Sequence, residues 1–194
     1  MSEFWLYIKL GFSHVLDWTA YDHILFLIVL IVGYTFDNWK RILLLVTLFT
    51  VGHTISLFLA AYNVVSVNSR LIEFLIPVTI LLTALYNVFT SKSGSKNDKV
   101  FILYGATLFF GLIHGFGFST YFKAISSNTS SKILPLIEFA LGVEAAQVVI
   151  VFFVLIVSFV FVSLLRFSKR EWILIASSVV IGMVIPMLVE NKIW

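Results

Sequence analysis

Apolar residues run along this chain in long blocks separated by short polar connections. Six blocks stand out, at roughly 21–36, 41–61, 71–90, 100–121, 134–165 and 172–190. Crossing a hydrocarbon core of about 30 Å takes about 20 mostly apolar residues in helical form. The pattern therefore predicts an all-α, polytopic membrane helix bundle with about six transmembrane helices. The fifth block exceeds one span, which predicts tilt or extension beyond the bilayer. The polar stretches Ser91–Lys99 and Ser126–Lys132 read as connections in water. The first twenty residues break the rule: Phe4, Trp5, Tyr7, Ile8, Leu10, Phe12, Val15, Leu16 and Trp18 are interrupted by Glu3, Lys9, His14 and Asp17. That mixture predicts an interfacial or re-entrant amphipathic segment over 1–20, with Trp5 and Trp18 at headgroup depth. A single transmembrane helical domain over 21–194 follows it.

Composition supports the membrane reading. Apolar residues make up 60% of the chain and charged residues only 12%, against roughly a quarter charged in a soluble domain. The net charge of +3 is no nucleic-acid signal, because the 13 Lys and Arg lie between apolar blocks. No nucleic-acid partner is expected; membrane lipid is. With no cysteine in the chain, thiolate metal ligands, disulfides and cysteine nucleophiles are excluded. The start lacks a basic segment and a small-residue cleavage site, so no cleaved signal peptide is expected. Basic residues predict orientation. Lys40, Arg41, Lys92, Lys96, Lys99, Arg166, Lys169 and Arg170 fall on one side, and Lys9, Arg70, Lys123, Lys132 and Lys192 on the other. The excess puts the first set in the cytoplasm and both termini outside.

Ionisable side chains inside a membrane are costly and need a partner, water or a function. Asp22 and His23 open the first block, while His53, His114 and Glu144 lie within the second, fourth and fifth. At about 1.5 Å per residue the last three fall at one depth, roughly 10–15 Å below the outer surface. Three helices thus bring metal-capable groups to one level. The candidate metal set is Asp22, His23, His53, His114 and Glu144, with His14, Glu138, Gln147 and Asn87 as additional members. Thr50, His53 and Ser56 share one helical stripe, and Gly111, His114 and Gly117 another. Each residue also has a plainer role: Asp22 as a helix cap, and the histidines as interhelical hydrogen-bond glue. Imidazole and carboxylate without thiolate suit Ni²⁺, Co²⁺ or Zn²⁺ and argue against Cu⁺. No phosphate-binding glycine loop is present, which excludes a self-contained ATP-driven pump.

Three blocks resemble the HupE/UreJ family of bacterial membrane proteins. They are Gly11-Phe12-Ser13-His14 leading to Asp22-His23-Ile24-Leu25-Phe26-Leu27, then Phe49-Thr50-Val51-Gly52-His53-Thr54-Ile55-Ser56-Leu57. The third is His114-Gly115-Phe116-Gly117-Phe118, followed by Phe139-Ala140-Leu141-Gly142-Val143-Glu144. The resemblance implies about six helices, secondary permease activity, and nickel or cobalt supply for hydrogenase and urease. The family signature of a His followed at short spacing by Asp-His matches directly at Asp22 and His23. His14 precedes them with seven residues between.

Three functions fit. The leading one is a divalent transition-metal permease of nickel/cobalt type, with its His/carboxylate site in the outer half. An intramembrane metal-dependent hydrolase or transferase of zinc type, acting on lipid or membrane-anchored substrate, is the alternative. The third is a structural or assembly protein using the cluster as helix glue. Metal identity, substrate and homo-oligomerisation stay open at this level.

Overall fold

The apolar blocks become helices because every backbone N–H and C=O must be paired within its own segment when water is absent. A computed structural model of the chain describes residues 3–91, 100–127, 129 and 131–193. Seven α-helices appear among them: α1 (Glu3–Val15), α2 (Asp22–Ile31), α3 (Trp39–Ala61), α4 (Ser69–Thr90), α5 (Val100–Ile125), α6 (Ile133–Phe159) and α7 (Lys169–Glu190). A π-turn over Val160–Leu164 extends α6. No strand occurs among the described residues. The helices α3 to α7 are long and apolar enough to cross a membrane, and the protein is an all-α membrane bundle. Most of the predicted polar connection at 91–99, with Lys92, Lys96 and Lys99, lies outside the described residues, as do parts of 126–132.

Chain direction alternates through α3–α7, which gathers the start of α1, the 62–68 connection and the ends of α5 and α7 at one end, the terminal face. Lys132 donates to the Ala61 carbonyl (2.7 Å) and Lys123 to Asn63 Oδ1 (2.9 Å) there, so two cations close the end of α3. At the opposite face α7 starts with a reciprocal cap. The Glu171 N–H donates to Ser168 Oγ (3.2 Å) while the Ser168 N–H donates to Glu171 Oε2 (2.7 Å).

The 21–36 block is helical only over the ten residues of α2, about half of what a span requires. The missing length is supplied by α1. The Tyr7 hydroxyl donates to the carbonyl of Ile125, at the terminal-face end of α5. Asn87, near the opposite-face end of α4, donates to the Val29 carbonyl of α2 (2.6 Å). Beyond α2, Val32 packs with Trp172 and Ala176 in the first turns of α7. The two short helices therefore follow one another across the bundle, α1 in the terminal half and α2 in the other. Between them Asp17 ends α1 by accepting from the Thr19 N–H (2.8 Å) and hydroxyl (2.7 Å), a side chain imitating a backbone turn. Asp22 starts α2 by accepting from the His23 N–H (2.8 Å). The first crossing is thus a helix broken near mid-depth.

Candidate metal centre

Two helix crossings surround the break, and both depend on glycine. Where α3 meets α5, a Cβ on Gly52 would overlap the Leu108 carbonyl, and one on Gly111 would overlap that of Phe49. A Cβ on Gly115 would strike the His53 carbonyl and Ser56 Oγ. Where α1 meets α6, Gly11 and Gly142 stand against the carbonyls of Phe139 and Ile8. Backbones in such contact leave the neighbouring side chains no room to spread. His53 follows Gly52 directly, while His14 and His114 lie three residues beyond Gly11 and Gly111. The glycines therefore drive the imidazoles of separate helices together.

One ring nitrogen from each of His14, His23 and His53 lies within 4.8 Å of the other two. The His114 ring is centred 5.3 Å from that of His23. His23, His53 and His114 are 1–3% exposed. All four Nε2 atoms are buried without a hydrogen-bond partner. Buried polar atoms are nearly always paired, so orphaned nitrogens on three rings brought within 4.8 Å, with the His114 ring beside them, point to a shared ligand. Two of the rings have their tautomer settled. His23 Nδ1 is 3.0 Å from Asp22 Oδ1, and His114 Nδ1 is 2.8 Å from the Phe110 carbonyl. A carboxylate and a carbonyl only accept, so Nδ1 carries the hydrogen in both and Nε2 keeps its lone pair. This backing is what metal-ligating histidines ordinarily have. Zinc–imidazole bonds of about 2.0–2.1 Å set tetrahedral nitrogens roughly 3.4 Å apart, against a spacing of up to 4.8 Å among His14, His23 and His53. The donor set fits a borderline divalent ion.

Aromatic rings wall the site. Phe118 lies 4.0 Å from His14 and Phe139 6.1 Å from His53, centre to centre. Phe49 lies 5.0 Å from both Phe26 and His114. Phe26, Phe49 and Phe110 each sit one turn towards the opposite face from His23, His53 and His114, and form a floor.

The other sequence candidates are placed elsewhere. Glu144 accepts from the Thr47 hydroxyl (2.6 Å) and contacts Thr50 Oγ1. Gln147 Oε1 is 3.0 Å from Thr50 Oγ1. Asn87 is engaged by α2 as described, and Glu138 is buried in α6. Asp22 stands behind His23. Thr47 escaped the sequence reading because a hydroxyl at helical spacing has no distinguishing pattern. His14 was only an additional member because an amphipathic segment gives no depth; its i, i+3 relation to Gly11, shared by Gly111 and His114, is the signal that could have promoted it.

Asp22→Asn tests the role of the backing carboxylate. An amide can present its NH₂ to Nδ1 and turn His23 to the wrong tautomer, so affinity for Ni²⁺ or Zn²⁺ should fall about 10–100-fold with the fold retained. Calorimetric titration of the purified variant checks this. Wild-type affinity would show that Asp22 is only a helix cap.

The model of the HupE / UreJ protein family matches residues 1–191, essentially the whole chain, and the chain belongs to that family. No curated protein and no solved structure matches it.

Proposed function

We propose that this HupE/UreJ protein is a divalent transition-metal permease of nickel/cobalt type, and that His14, His23, His53 and His114 form the station where the ion is held in transit. The supporting observation is that His14, His23 and His53 bring ring nitrogens within 4.8 Å of one another, with the His114 ring 5.3 Å from that of His23, and that all four Nε2 atoms are buried and unpartnered. Ni²⁺ and Co²⁺ accept imidazole readily, and nickel or cobalt supply is the role associated with this family. Neutral imidazoles with one carboxylate behind them compensate the lost hydration without matching the ion's full charge. A transport site needs that compromise, since it must release what it binds. The helix break lies beside the cluster, where irregular backbone in membrane proteins ordinarily lines a substrate path.

The deciding experiment is uptake of Ni²⁺ or Co²⁺ into proteoliposomes holding the purified chain. Saturable uptake is expected in wild type and none in His53→Ala. Bound metal without flux would favour the second reading, an intramembrane metalloenzyme of zinc type, which one observation supports. The floor of Phe26, Phe49 and Phe110 separates the cluster from the opposite face, as a one-sided reaction site requires. In the permease those rings are the barrier that must move.

For orientation we propose both termini outside the cytoplasm, following the basic-residue bias. Asp37 is exposed in the 32–38 connection, and the chain has no cysteine, so Asp37→Cys carries a unique thiol. An impermeant maleimide should reach it in inverted vesicles and not in intact cells. Labelling in intact cells reverses the orientation.

A further inference from the structure

Glu144 lies in the middle of α6, at the surface of the bundle. Around it Leu43, Leu44, Val51, Leu141 and Val148 are 39–53% exposed, so this face is apolar and turned to lipid. A carboxylate there is expensive and requires neutralisation. Its contacts among the described residues are two hydroxyls, of Thr47 and Thr50. The described titratable and charged side chains on the elements packed against α6 are Tyr7, Lys9 and His14 of α1, Asp22 and His23 of α2, and Lys40, Arg41 and His53 of α3. The bonds given for Glu144 go to the hydroxyls of Thr47 and Thr50 and to no charged side chain.

With the Gln147 amide oxygen towards Thr50, the hydrogens around Thr50 do not suffice for the oxygens. Its hydroxyl carries one hydrogen and has three acceptors in reach: the Val46 carbonyl (3.2 Å), Gln147 Oε1 (3.0 Å) and a Glu144 carboxylate oxygen. One can be served, which leaves oxygen facing oxygen at the others. Gln147 is 0% exposed and its Nε2 has no partner. Turning that amide by half a revolution supplies Thr50 with a donor and frees the carbonyl oxygen to act as a ligand. Carboxylate, hydroxyls, amide and backbone carbonyl make a hard, oxygen-only donor set, unlike the imidazoles one turn away along α3.

We propose that Glu144, Thr47, Thr50 and Gln147 form a second cation site, which takes a small monovalent cation: a proton on the carboxylate or Na⁺ among the oxygens. Either neutralises the lipid-facing charge, the proton by making the carboxyl a donor and Na⁺ by lying between the oxygens. Thr50 and His53 are one turn apart on the same stripe of α3, which ties occupancy here to the geometry of the imidazole cluster. That the bound cation drives the metal rests on the permease reading; the existence of the site does not.

The test uses the metal-free, full-length protein in detergent or liposomes with dicyclohexylcarbodiimide, an apolar reagent that attacks protonated carboxyls open to lipid. Peptide mass spectrometry should locate the adduct on Glu144, absent in Glu144→Gln. If Na⁺ is the ligand, labelling should slow about tenfold once Na⁺ exceeds its dissociation constant about tenfold, and Thr50→Val should lose that protection while keeping the reactive carboxyl. If a proton is the ligand, labelling should fall with rising pH and ignore Na⁺. No adduct at Glu144 under any condition, or an adduct indifferent to both pH and Na⁺, overturns the proposal. Because no transition metal is present, this result is independent of whether the imidazole site binds one.

Discussion

Purified His53→Ala protein should lose nearly all of its bound Ni²⁺, Co²⁺ or Zn²⁺, with affinity reduced about a hundredfold or more. The expectation rests on position as much as on chemistry. His53 is 1% exposed, and one of its ring nitrogens lies within 4.8 Å of those of His14 and His23. Removing it leaves three imidazoles about a space that alanine cannot fill and water can enter. His114→Ala should act in the same direction, since its Nε2 lone pair is fixed by the Phe110 carbonyl. Metal content by mass spectrometry of the eluted protein, with monodispersity by gel filtration, separates loss of ligand from loss of fold. Wild-type protein that binds no metal at micromolar concentration would remove both the permease and the enzyme readings. The cluster would then be hydrogen-bond glue.

A large effect on stability is expected at Gly111. An added methyl there would overlap the Phe49 carbonyl and stand 3.1 Å from its Cα. Backbone on both sides means that no rotamer change can absorb it, so α3 and α5 must separate. Gly111→Ala should cost about 3 kcal/mol or more, at or above the usual range for overpacking, and should weaken metal binding by moving His53 and His114 apart. Gly182 of α7 offers the control, for nothing lies within 4 Å of the Cβ it would carry. Gly182→Ala should be neutral or stabilising by up to about 1 kcal/mol, through helix propensity alone. Thermal unfolding in detergent should therefore move the two variants in opposite directions. Equal melting temperatures would mean that the glycine contact does not hold the crossing.

Hydropathy reads α3 to α7 closely because lipid imposes one rule on each segment by itself: be apolar, be helical and be about 20 residues long. The expected block at 41–61 is α3 at Trp39–Ala61, and that at 71–90 is α4 at Ser69–Thr90. The same rule is silent where two short helices share one crossing. Glu3, Lys9, His14 and Asp17 lowered the apolarity of residues 1–20, and pattern alone could not say that α1 lies along α6 in series with α2. Gly11 and Gly142 decide that, by a backbone contact between residues far apart in sequence.

The chemistry divides in the same way. Residue types and helical rise were enough to bring His53, His114 and Glu144 to a common depth, because depth is a property of a single helix. Which of them meet depends on how each helix is rotated and on where its glycines let it touch a neighbour. The tertiary structure gathers His53 and His114 with His23 and His14, and turns Glu144 aside to Thr47 and Thr50 on the lipid-facing side. Sequence by itself thus determined the membrane class, the long spans and the kinds of ligand available, all of which follow from local composition. The broken first crossing, the four-imidazole set and the separate oxygen-rich group on α3 and α6 were decided only by packing, since azimuth and close approach are relations between helices and are written in no single one of them.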